Sequence, residues 1–203
     1  MHRTIGGWGD LRPFRLKETP GFGGSQMKID SRDLALTAIF ASSYVTVNVV
    51  QMLTVGNPTV YGPIQLRVAD CLIALAALLG WPVVGGVTLG CFLTNAYYFM
   101  GVPDVVLGPI ANIIAATTIF LLRKRRFEAC VLGALPVGLI VGSYLWIFFD
   151  QSIAWYSMIA TITISSLISI AGIGYLLLLT LSRPSILGPL RSHGLKVTEE
   201  QNR

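Results

Sequence analysis

Between positions 34 and 122 the only Lys, Arg, Asp or Glu residues are Arg67, Asp70 and Asp104. A water-facing domain carries charge on roughly a quarter of its residues, whereas this chain is 12% charged and 53% hydrophobic. Such a chain cannot cover its surface with charge, and the bilayer is the solvent that its composition fits. Six apolar stretches follow one another, at about 34–55, 64–79, 82–100, 103–122, 127–149 and 155–181. A helix needs about 20 residues to cross the hydrocarbon, with a range of roughly 17–25. Five stretches meet that length, and the second is expected to be short, tilted or re-entrant.

Punctuation in the sequence agrees with these limits. Asp33 is placed to cap the first helix, Pro82 after Gly80-Trp81 marks a tight turn, and Arg183-Pro184 stops the last span. Residues 1–33 are polar and rich in glycine, with no apolar run of the kind a secretory signal carries. Met27 stands just before KIDSRDLALTAIF and is an alternative start, which would make 1–26 an untranslated or disordered extension. The expected organisation is a polar tail over 1–33, a membrane domain over 34–182 and a second tail over 183–203.

The basic residues set the orientation. Of 15 Lys and Arg, all but Arg67 fall in the two tails or in the knot RKRRFE at 123–128. Cytoplasmic loops concentrate Lys and Arg. Six spans with both termini in the cytoplasm place every basic residue except Arg67 inside, and leave Asp104 and Asp150 outside. The expected fold is therefore an all-α integral membrane protein, a six-transmembrane-helix bundle. The net charge of +5 reads as membrane orientation, not nucleic-acid binding. Cys71, Cys91 and Cys130 lack CxxC spacing and read as small core residues.

Pairs of small residues four apart mark close helix packing: Ala38/Ser42, Gly86/Gly90, Gly138/Gly142 and Ser165/Ser169. Ionisable groups at membrane depth are costly and either pair or line a pathway. Arg67 and Asp70, three apart, are expected on one helix face, with Asn95, Asp104 and Asn112 in neighbouring spans. Arg67 could pair with either carboxylate. Together these residues suggest a polar pocket open to the outside. Tyr61, Tyr97, Tyr98, Phe99, Trp146, Trp155 and Tyr156 collect at the same level, as pocket walls or as an interfacial belt. The sequence has no G-x-x-x-x-G-K-[ST] loop and no HExxH, and both histidines, His2 and His193, lie in the tails. An enzyme is not expected, nor a metal or cofactor.

The stretch QLRVADCLIALAALLGWPVVGGVTLGCFLTN, followed by PDVVLGPIANIIAA, resembles the QueT family, the substrate-binding (S) components of energy-coupling factor (ECF) importers. Arg67, Gly86, Gly90, Asn95, Asp104 and Gly108 occupy the slots of its pattern. Asp70 stands where Glu is more usual, and Pro109 where a small polar residue is. The resemblance implies an S component in the cell membrane that captures a queuosine precursor, a cationic aminomethyl-deazaguanine. It would work with a separate transmembrane coupling subunit and two ATPase subunits, which would use the ATP. Ala38 and Ser42 match the small residues that face the coupling subunit. Arg67, Asp70, Asn95 and Asp104, with Tyr61, Tyr98, Asn112 and Trp146, supply the acceptors, donors and rings that such a base needs. Which carboxylate takes which role stays open. An S component for another heterocycle, or a stand-alone carrier, are the alternative readings.

Overall fold

The computed structural model describes residues 30–55, 66–147 and 154–192. Among them every regular element is helical: α1 (Ser31–Val55), α2 (Val68–Leu79), α3 (Trp81–Tyr97), α4 (Val102–Leu121), α5 (Arg126–Leu145), α6 (Trp155–Leu181) and α7 (Pro184–Ser192). Four of these, α1, α4, α5 and α6, are long and apolar enough to cross a membrane. At 17 residues, α3 lies at the lower limit of crossing length.

Local chemistry sets the helix ends. The Asp33 carboxylate accepts the backbone N–H of Asp30 at 3.3 Å, so an acid in the first turn reaches back to the capping residue. Gly80 has φ 69°, a left-handed conformation that glycine adopts without a Cβ penalty. It reverses the chain between α2 and α3, with Pro82 in the first turn of α3. Leu181 ends α6, as the Arg183-Pro184 pair predicts. Pro184 then opens a further helix, α7, within the segment expected to be only a tail.

The second stretch departs most from an ordinary span. Its first eight residues, Val68–Leu75, wind as a 3-10 helix and the next four as an α-helix. At rises of about 2.0 and 1.5 Å per residue the two pieces extend roughly 22 Å, short of a hydrocarbon core of about 30 Å. Ile64 and Gln65, the start of the expected stretch, lie outside the described residues. Ala69–Cys71 and Ile73–Leu78 are all buried. A helix that is apolar on all sides belongs inside a protein, and α2 packs against α1, α3, α4 and α6. It is the core of the bundle.

Around it, α1 packs on α3, α3 on α4, α4 on α5 and α5 on α6. The outward faces carry Leu53, Val102, Leu121 and Leu176, each about two-thirds exposed or more. Apolar surface so extensive is unsuited to water and suited to lipid. The paired glycines lie at helix contacts. Gly138 and Gly142 of α5 back directly onto Thr163 and Ile159 of α6, and Gly86 and Gly90 of α3 onto Phe40 and Tyr44 of α1. Ala38 and Ser42 instead sit on the exposed side of α1.

Candidate functional site

Two buried carboxylates organise the centre of the bundle. Asp70, in the 3-10 turn of α2, accepts the Tyr44 hydroxyl of α1 at 2.6 Å. The same Tyr44 oxygen accepts the Asn112 amide of α4 at 3.2 Å. Asp104, at the start of α4, accepts the Tyr144 hydroxyl of α5 at 2.7 Å, and Arg67 Nη2 stands 3.6 Å from the same carboxylate oxygen. Asn95 of α3 donates to the backbone carbonyl of Asp104 at 2.9 Å. Asp104 is fully buried, and Asp70, Asn95, Asn112 and Arg67 are each less than a tenth exposed. Two clusters thus tie the helices together, α1, α2 and α4 through Tyr44 and α3, α4 and α5 through Asp104, and each member supports a neighbour that could not stay polar in lipid alone.

The elements place these groups for identifiable reasons. Arg67 precedes α2 in an extended conformation, φ −83° and ψ 93°. Gln51 of α1 holds the backbone on both sides of it: its amide donates to the Leu66 carbonyl, and its oxygen accepts Val68 N–H at 3.0 Å. Arg67 is thus the extended N-cap of the 3-10 turn, its carbonyl accepting the Asp70 N–H at 3.2 Å, and its described carboxylate partner is Asp104, one of the two pairings the sequence left open. Gly108 makes room for Asn95: a Cβ there would come within 2.5 Å of the Asn95 amide nitrogen. Asn95, Asp104 and Gly108 are thus one packing unit, which gives a physical reason for their spacing.

Arg67 and Asp70 also line a cavity. Val137 and Val141 of α5 and Ile162, Ser165 and Ser166 of α6 complete its wall. Its volume is about 10 Å³, room for about one water.

Of the residues singled out in the sequence, Asp70 and Asn112 meet at Tyr44, and Arg67, Asn95 and Asp104 meet at the start of α4. Tyr98 is half-buried and stacks edge-on against Tyr97 at 4.9 Å, away from the cavity. Trp146 is half-buried after the end of α5, also off the cavity wall. Tyr61 lies outside the described residues. Tyr97, Phe99, Trp155 and Tyr156 are all more than half exposed, the placement of an interfacial belt. The site also includes Tyr44, Gln51 and Tyr144, which the sequence reading passed over, and the cavity-lining Ser165 and Ser166, of which Ser165 was read only as a packing residue. A signal for two of them was present. Tyr44, Asn48 and Gln51 fall at i, i+4 and i+7, a polar stripe on one face of an apolar span.

Among the described residues no group of three or more His, Cys, Asp or Glu could hold a metal ion. A family model described as QueT transporter matches residues 34–183, about three quarters of the chain. No curated protein and no solved structure matches it.

Proposed function

The chain belongs to the QueT transporter family, and on that premise we propose that it is the substrate-binding component of an ECF-type importer. QueT is a transporter family, not an enzyme family. The proposed substrate is a queuosine precursor of the 7-deazaguanine type, captured from outside the cell membrane. Import would depend on a separate coupling subunit and two ATPase subunits, and the exposed small residues Ala38 and Ser42 on α1 are the surface offered to the coupling subunit. In this reading both termini are cytoplasmic, and α2 and α3 complete six membrane segments.

The observation that carries the proposal is the burial of Arg67 and Asp70 against a cavity inside an otherwise apolar bundle. A guanine-like edge presents adjacent N–H donors to a carboxylate and a carbonyl to a cationic donor. The flanking valines and isoleucine offer apolar faces to a flat ring. Purified protein is expected to carry or bind 7-aminomethyl-7-deazaguanine, detected by mass spectrometry and calorimetry. Asp70→Ala is expected to weaken that binding at least about tenfold, since a charged hydrogen bond contributes about 1.5–3 kcal/mol. Wild-type affinity in folded Asp70→Ala protein, or uptake by vesicles that lack any ATPase, would refute the reading.

Orientation has its own test. Single cysteines at position 124 and in the 98–101 link are expected to label from opposite sides of the membrane, with 124 accessible only from the cytoplasm. Labelling of both from one side would remove the outward-facing site.

A further inference from the structure

We infer that the substrate is read by Asp70 together with Ser165 and Ser166 of α6, and that Asp104 serves to hold Arg67. The inference rests on the substrate-capturing role proposed above and divides the labour between the two carboxylates.

The cavity draws the first distinction. Asp70, Ser165 and Ser166 line it and Asp104 does not. Asp104 is fully enclosed, with Tyr144 and Arg67 on one oxygen and Asn95 on its backbone carbonyl. Its second oxygen has no hydrogen-bond partner among the described residues, but Asp104 is not among the residues that line the cavity. Asp70 has one oxygen fixed by Tyr44, and a carboxylate so held keeps acceptor capacity for further N–H donors.

The serines draw the second. Hydroxyls in apolar helices ordinarily bond the carbonyl three or four residues back, as Thr88, Thr94, Ser143, Thr161 and Thr163 do here. Ser165 and Ser166 make no such bond among the described residues, although they are only 8% and 3% exposed. Ser169, one turn further on, is fully buried and its hydroxyl also lacks a partner there. Buried hydroxyls are costly to leave unmatched, and two of these three border the same cavity as Arg67 and Asp70. Val137, Val141 and Ile162 complete the wall with apolar surface.

This lining suits a flat heterocycle with adjacent N–H donors for Asp70, a carbonyl for Arg67, and further edge atoms for hydroxyls that both donate and accept. A fused bicyclic base is many times larger than the cavity, so loading must widen it.

The test uses the full chain in detergent with two probes, 7-deazaguanine and 7-deazahypoxanthine, which lacks the exocyclic amine. Ser165→Ala/Ser166→Ala is expected to weaken 7-deazaguanine binding about tenfold, with the thermal unfolding midpoint unchanged or higher. Should the double variant misfold, the single variants are read in the same way. Asp70→Asn is expected to collapse the preference for 7-deazaguanine over 7-deazahypoxanthine, while Asp104→Asn keeps it in whatever protein remains folded. Unaltered binding in the serine variants, or a preference lost with Asp104→Asn and kept with Asp70→Asn, overturns this assignment alone. A wild-type protein that binds neither base overturns the substrate reading and the assignment with it.

Discussion

Asp104→Ala is expected to destabilise the folded protein by about 3–5 kcal/mol, the range seen when one member of a buried ion pair is removed. Arg67 is only 6% exposed and stands 3.6 Å from the Asp104 carboxylate. The substitution leaves a guanidinium in an apolar interior without that counter-charge. It also removes the acceptor for the Tyr144 hydroxyl, so a second buried polar group loses its match. Domain stabilities are typically about 5–15 kcal/mol, so the loss would be visible as a lower unfolding midpoint in detergent and reduced yield from membranes. A further variant separates charge burial from simple loss of packing. Arg67→Met/Asp104→Leu removes both charges and keeps apolar bulk, and buried pairs replaced this way often lose little stability. The double variant is therefore expected to recover most of the midpoint while losing substrate binding with Arg67. If Asp104→Ala unfolds like the wild type, the pair is not the support described here.

The carboxylates, Arg67 and the two asparagines were legible in the sequence because a charged or amide group in a long apolar run has few explanations. Helix existence was legible for the same reason, since hydrophobic length reports directly on spanning. Two features were not. The shortness of α2 was expected from its length, but its 3-10 winding and its burial from all sides were not, because an apolar run reads the same whether lipid or protein surrounds it. The tyrosines were obscured by their chemistry. Tyr44 and Tyr144 combine an apolar ring with one polar atom, and in a hydrophobic span they are indistinguishable from belt aromatics until the fold supplies a partner. Of the aromatics that stood out as a cluster, Tyr97, Phe99, Trp155 and Tyr156 are more than half exposed, Tyr97 at 80%. The pairing of Arg67 was open for a geometric reason. Spacing of three suggests a shared face only if both residues are helical, and Arg67 is held extended by Gln51.

Gly90→Val is expected to cost more than a usual surface substitution and to remove binding along with stability. A Cβ at position 90 would meet Tyr44 Cβ at 2.7 Å and the Ala41 backbone oxygen at 2.9 Å. Neither is the movable end of a flexible side chain, so α1 and α3 must separate. Overpacking of this kind costs about 1–3 kcal/mol, occasionally more, and valine adds two methyl groups beyond the Cβ. The site feels the shift directly, because Tyr44 fixes Asp70 and accepts from Asn112. Gly85→Ala is the contrasting case on the same helix. A Cβ there meets nothing closer than Thr37 Cγ2 at 3.4 Å, and Gly85 is exposed. It is expected to change the midpoint by no more than the roughly 0.5 kcal/mol typical of surface changes and to leave affinity intact. Paired unfolding and calorimetry on the two variants decide the matter: equal behaviour would mean that the α1–α3 seam does not set the position of Tyr44, and that the carboxylate it holds is fixed by something else.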